Sequence, residues 1–167
     1  MFIRIKKIKG QDYGYLVQNS WTENGARQKV AKYLGKVHRP QKVYSKGLLE
    51  FVEKSAEQYF NEKEFKEIIN DITKLELHNH GADDQFFVSE GDLKTISGKS
   101  CVIHANNGYI TGETIKALHQ YNAENDDGYF LANLITSAGL NVEKETFVLL
   151  FEKAKAQIQP TNQEFYY

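Results

Sequence analysis

Few residues in this chain have the types and spacing for chemistry, and the densest group is His78, His80 and the pair Asp83–Asp84. On an extended strand, side chains two apart share a face, so His78 and His80 project together while Asp83 or Asp84 bends in as a hard oxygen ligand. Two imidazoles and a carboxylate suit zinc or a similar ion, and would make a small metal-dependent nuclease or phosphoesterase. The competing reading, solvated or hydrogen-bonded histidines without a metal, is preferred. Only His104 and His119 follow as further imidazoles. Cys101 and His104 suggest a nucleophile and base, but an offset of three on a strand puts them on opposite faces. A buried structural thiol is the better reading of Cys101. Gly108 and Gly112 lack the Lys-Ser/Thr step of a phosphate loop. Glu124, Asp126 and Asp127 lack the spacing and terminal Glu of a calcium loop. No catalytic constellation emerges, no cofactor is implied, and the expectation is a protein that is not an enzyme.

The stronger signal is electrostatic. Residues 1–46 hold eleven of the 21 Lys and Arg, opposed only by Asp12 and Glu23, so the segment carries +9. The other 121 residues hold ten basic and twenty acidic side chains, net −10, which hides the asymmetry in a total of −1. Such polarity points to a polyanion partner for the basic part. Hydrophobic content of 41% with ten Phe and ten Tyr supports a packed core, and no apolar run approaches the roughly 18 residues that cross a bilayer. The N-terminus lacks the apolar stretch of a signal peptide, and the lone Cys101 fits a reducing compartment. The expectation is a cytoplasmic protein without a membrane partner.

The elements that must position these residues fall into an α+β arrangement. Phe2–Lys9 alternates Ile3 and Ile5 against Arg4 and Lys6, with a slip at Lys7–Ile8 that predicts a bulge or the end of pairing. Gly10-Gln11-Asp12 supplies a turn. Tyr13–Trp21 alternates next, with Tyr13, Tyr15, Val17 and Trp21 on one face. Asn24-Gly25 predicts a type I′ hairpin. Ala26–Leu34 follows, with Arg27 and Lys29 facing away from Val30, Lys32 and Leu34. Gly35 ends the run, and Pro40 bars a central strand beyond it. These strands form a three-stranded antiparallel meander, covered on its apolar face by a helix over Gly47–Phe60. The other face presents basic side chains interleaved with Tyr and Trp. Cations neutralise phosphates, aromatic rings stack on bases, and a β-ribbon is narrow enough for a major groove. The expected contact residues are Arg4, Lys6, Lys7, Lys9, Arg27, Lys29, Lys32, Lys36 and Arg39, with Trp21 and Tyr33. Lysines that merely protect an edge strand are the bland alternative, and eleven cations against two acids exceed that need.

The run FIRIKKIKGQDYGYLVQNSW, continued by NGARQKVAKYLGKV, resembles the N-terminal segment of insertion-sequence transposases. Those open with a basic strand, a Tyr-rich strand and a third strand carrying the pattern met here as Arg27, Gln28, Tyr33, Leu34 and Gly35. It is also similar to the start of small uncharacterised archaeal proteins. The resemblance covers about 40 residues and implies a DNA-end or accessory binding role. The acidic triad of transposition has no match in the remaining residues. Separately, Leu75–His80 is similar to the H-x-H strand of metal-dependent phosphoesterases and amidohydrolases, whose later His and Asp ligands are not matched.

The remainder, residues 47–157, reads as an acidic and mainly helical α+β unit, and 158–167 as a flexible tail. Asn61 with Glu64 forms a capping-box spacing for a helix over Glu62–Lys74 bearing Phe65, Ile68, Ile69 and Ile72. Leu75–His80, Phe86–Ser89 and Ser100–His104 are expected as strands, and Glu90–Gly98 as a short helix or turn. Asn106-Asn107-Gly108 turns the chain. Thr111 caps a helix, Asp126 and Asp127 begin a second that Gly139 ends, and Asn141 caps the last. The αα-hairpin around Gly139 is read as helix packing rather than a DNA-reading motif, because its second helix mixes Glu143, Glu145 and Glu152 with lysines. The leading functional reading is a non-catalytic nucleic-acid-binding protein, DNA before RNA. A protein–protein adaptor or homo-oligomer that pairs its +9 and −10 surfaces is the alternative.

Overall fold

β-branched and aromatic residues in alternation, punctuated by glycine turns, build the first three strands: β1 (Phe2–Ile8), β2 (Gln11–Thr22) and β3 (Gly25–His38). The computed structural model describes residues 1–158, so the tail expected over 158–167 lies, apart from Ile158, outside the described residues. The meander forms as expected, and the protein is α+β. Its details differ from the sequence pattern. β1 and β2 stay in register through Lys7↔Asp12 and Ile8↔Gln11, where their pairing ends, so the slip at Lys7–Ile8 marks the end of pairing and not a bulge. The turn is Lys9-Gly10, both at positive φ. The second hairpin turns at Glu23-Asn24, and only Gly25 of the expected pair takes a positive φ, 102°. The turn is therefore not type I′.

The irregularities lie between β2 and β3, where the register shifts at Gly14/Tyr15 and at Leu16/Val17. Both extra residues, Ala31 and Leu34, sit on β3. Gly35 does not end β3, which continues to His38. At φ 115° it bends the strand, and an added Cβ would run into the Ser100 carbonyl. Glycine is the residue that tolerates both.

Beyond the meander come β4 (Phe86–Ser89), β5 (Asp92–Thr95), β6 (Cys101–Ala105) and β7 (Gly108–Ile110). The main sheet has the order β1-β2-β3-β6-β7. β3 pairs parallel with β6 through Lys36↔Cys101, Val37↔Val102 and His38↔Ile103, so one sheet joins the basic segment to the acidic remainder. β4 and β5 form a separate hairpin. Glu90–Gly98 contains the expected turns, at Glu90-Gly91 and Ile96-Ser97, but between them runs β5, which was not anticipated, and neither was β7.

The helices are α1 (Leu48–Val52), α2 (Ala56–Glu62), α3 (Phe65–Asn79), α4 (Gly112–His119), α5 (Gly128–Ser137) and α6 (Lys144–Ala156). The single helix expected over Gly47–Phe60 is two, broken where Glu53 adopts φ 54°. It does not cover the meander. Leu48, Tyr59 and Phe60 belong instead to the core around α3. α3 begins at a cap three residues later than expected: Glu67 reaches back to the Glu64 N–H at 2.8 Å. It also absorbs the expected strand Leu75–His80. Leu75 and Leu77 are both buried in it, because α3 is enclosed on several sides and its apolar stripe widens into what looks like alternation. Thr111 caps α4 as expected; of the two acids expected to begin the next helix, Asp127 is the cap of α5, whereas α6 is capped at Glu143 rather than Asn141.

β6 separates two cores. Cys101, Ile103 and Ala105 face the helices, while Val102 joins Leu34, Val37, Ile3, Ile5 and Leu16 on the other side. The sheet coils over this second cluster so closely that a Cβ on Gly14 would lie 2.6 Å from Val102 Cγ2. No helix among the described residues is long and apolar enough to cross a membrane.

Candidate nucleic-acid interface

Alternation along β2 is unbroken, so each meander face can be read from its ladder partners. One face carries Tyr13, Tyr15, Val17, Asn19 and Trp21, opposite Lys36, Tyr33, Val30, Gln28 and Ala26 on β3. From β1 it receives Phe2, Arg4 and Lys6. Contacts agree with this: the Tyr15 and Tyr33 rings lie 5.3 Å apart, Lys6 Nζ sits 5.1 Å above the Tyr15 ring, and Arg4 Nη1 donates to Gln28 Oε1 at 2.7 Å. That last bond spans β2 above Val17, which is only 1% exposed despite belonging to a solvent-facing side.

The opposite face carries Arg27, Lys29 and Lys32 against Ser20, Gln18 and Leu16. Simple alternation put Lys32 apart from Arg27 and Lys29. The extra residue Ala31 turns it back to their side. Lys32 pairs with Glu113 on α4, and Arg39 pairs with Asp12 at 3.1 Å. Among the described residues, Arg4, Lys6, Lys7, Lys9, Arg27, Lys29 and Lys36 have no carboxylate within ion-pair distance.

From Gln18 through Lys32 nearly every residue is exposed, so the β2–β3 hairpin forms an arm beyond the rest of the sheet. About six residues per strand at roughly 3.3 Å each give it a reach near 20 Å. Trp21, 84% exposed, stands by its tip. At its root Tyr33, 53% exposed, borders a cleft of about 570 Å³ between β3 and the β4–β5 hairpin. Lys36, Lys99, Ser97 and Ser100 line that cleft, and among the described residues no carboxylate does. His38 in its wall is held below the ordinary imidazole value, first by burial and then by Lys36. Lys99 is a cation of this cleft that the sequence pattern did not single out. It lies in the net-acidic remainder of the chain, just before β6, and the pairing of β6 with β3 brings it beside Lys36 and Tyr33.

The histidine pair does not form a metal site. Because α3 extends to Asn79, His78 and His80 point about 200° apart rather than along one face. His78 stacks on Tyr44, ring centroids 5.2 Å apart, and its Nδ1 lies 2.9 Å from Asp83 Oδ2. That hydrogen bond holds the Asp83 carboxyl below its usual range against the opposing effect of burial. His80 is buried beside Glu76, Nδ1 lying 3.2 Å from Oε1 and 2.9 Å from the Glu76 carbonyl. Among the described residues, no group of three or more His, Cys, Asp or Glu is placed to hold a metal. Cys101 is buried in the helical core and His104 lies on the other side of β6, as the offset of three required. Burial, with Arg39 and His80 nearby, holds His104 below the ordinary imidazole value.

Compared with protein-family models, curated proteins and solved structures, the chain matches none of them.

Proposed function

We propose that the protein binds nucleic acid without catalysing a reaction on it, gripping phosphates through its N-terminal sheet, with DNA favoured over RNA. The arm carries this reading. A two-stranded ribbon exposed on both sides buries little, yet here it is long and bears Arg27 and Lys29 without carboxylate partners among the described residues. It belongs to a segment of net charge +9. Cations so arranged release condensed counterions when they meet phosphates. A ribbon fits the major groove of B-form DNA, whereas that of A-form RNA is too narrow for side chains to read. The likeness of Arg27 to Gly35 to a transposase N-terminal segment points toward DNA as well. The acidic helical part serves as scaffold.

Fluorescence anisotropy of the whole protein against duplex DNA, single-stranded DNA and RNA, titrated with salt, tests this. For about five phosphates contacted on duplex, log affinity falls with log salt at a slope of about −4 to −5. Absence of binding to all three at low salt overturns the reading. A second reading, self-association through opposite charges, draws on the Lys32–Glu113 pair, which already joins the basic sheet to an acidic helix within one chain. Concentration-dependent sedimentation that salt abolishes, in protein free of nucleic acid, is its signature.

A further inference from the structure

Cations account for phosphate contacts, but they leave the aromatic stripe of the meander without a partner. Phe2, Trp21, Val30 and Tyr33 share one face, and all four are large apolar side chains exposed to solvent. Tryptophan is on average a well-buried residue, so one exposed at 84% on a charged arm is informative. Lys6 and Lys36 stand on the same face, and Lys99 lies across the cleft that Tyr33 borders. Neither acid of the segment joins them: alternation turns Asp12 to the other face, where it pairs with Arg39, and Glu23 lies in the turn.

Rings that alternate with cations match the two halves of an unpaired nucleotide, the π-face of its base and its phosphate. An intact duplex hides its base faces and needs cations only. We propose that this face binds DNA carrying unpaired bases, Trp21 and Tyr33 stacking on bases while Lys36 and Lys99 hold phosphates in the cleft. The inference rests on the nucleic-acid reading above and adds the strandedness of the target.

Trp21 is the only tryptophan in the chain, so its emission reports this one position. The test titrates the full chain with a labelled single strand on the order of 20 nucleotides, longer than a small module covers, and with the same sequence as duplex. Label anisotropy and Trp21 emission are read on the same samples. Expected are quenching of Trp21 by the single strand and affinity at least about tenfold above that for duplex. Trp21→Ala weakens single-strand binding by about fivefold or more, whereas Trp21→Phe, which keeps a ring, retains most of it. Both variants melt like the parent, because the replaced side chain is exposed. Single-strand binding with unchanged emission, or duplex bound equally well, overturns the inference and leaves the nucleic-acid reading standing. No binding to either overturns both.

Discussion

Cys101 shows how far environment departs from residue type. It sits on β6 facing the helices, and burial pushes its thiol up to about 12, with Asp92 adding to the rise. The thiolate is the reactive form. The folded protein is therefore expected to be inert to a disulfide reagent at pH 8 and to react only once unfolded in urea, which absorbance of the released thiol measures. The sign of the linked pH effect follows. An unfolded thiol loses its proton at about 8.5 while the folded one keeps it, so stability is complete below that pH and declines as pH rises toward the folded value. Glu76 is the other telling residue. It is 1% exposed, and its carboxylate accepts from Asn106 Nδ2 at 3.0 Å and from the Asn141 N–H at 3.1 Å, with His80 beside it. Charge alone would have marked it as one more acid on a solvated helix.

That network ties elements together. Through Glu76, α3 holds the β6–β7 turn at Asn106 and the segment before α6 at Asn141. Asn106 also donates to the Gly139 carbonyl at 2.8 Å. Glu76→Ala strands the Asn141 N–H and His80 in a buried site, and is expected to cost about 3 kcal/mol. Glu76→Gln, which keeps one acceptor, costs less. Urea unfolding of the two variants measures both, and equal stability of Glu76→Ala and the parent would refute the role. One turn further along, at the last residue of α3, Asn79 fixes the chain after the meander: its side chain makes two bonds to the Lys46 backbone, and its carbonyl accepts from Val43 and Tyr44. The long connection from Arg39 is thereby pinned without helix or strand. Its residues gave no periodic signal, since their hydrogen-bond partners lie more than 30 positions away.

At the scale of the whole molecule, charge polarity becomes a spatial division, with the arm as its basic extremity. Arg27→Ala with Lys29→Ala is expected to weaken binding alike for all sequences. The pair is also expected to lower the magnitude of the salt slope by about two, one for each phosphate left without its cation. His78→Ala leaves binding unchanged, because His78 packs on Tyr44 far along the chain from the arm. Anisotropy across salt concentrations distinguishes these, and equal weakening by all three substitutions would shift attention to the α3 end.

The chain by itself determined the meander, the cap at Thr111, the start of a helix at Asp126-Asp127, the opposition of Cys101 and His104, and the +9 segment. Each of these depends on local periodicity, short-range capping or a count of charges, none of which needs a distant partner. Tertiary structure decided the rest. It made Leu75–His80 the end of a helix, since enclosure on several sides lets a helix bury residues that alternate. It kept β3 going through Gly35, since a parallel partner β6 lay ready and only glycine fits beneath the Ser100 carbonyl. It turned Lys32 toward Arg27 through the extra residue Ala31, and brought Lys99 to Tyr33 by pairing β6 with β3. Contacts between residues tens of positions apart fix these features, and a sequence records the residues of such contacts but not their meeting.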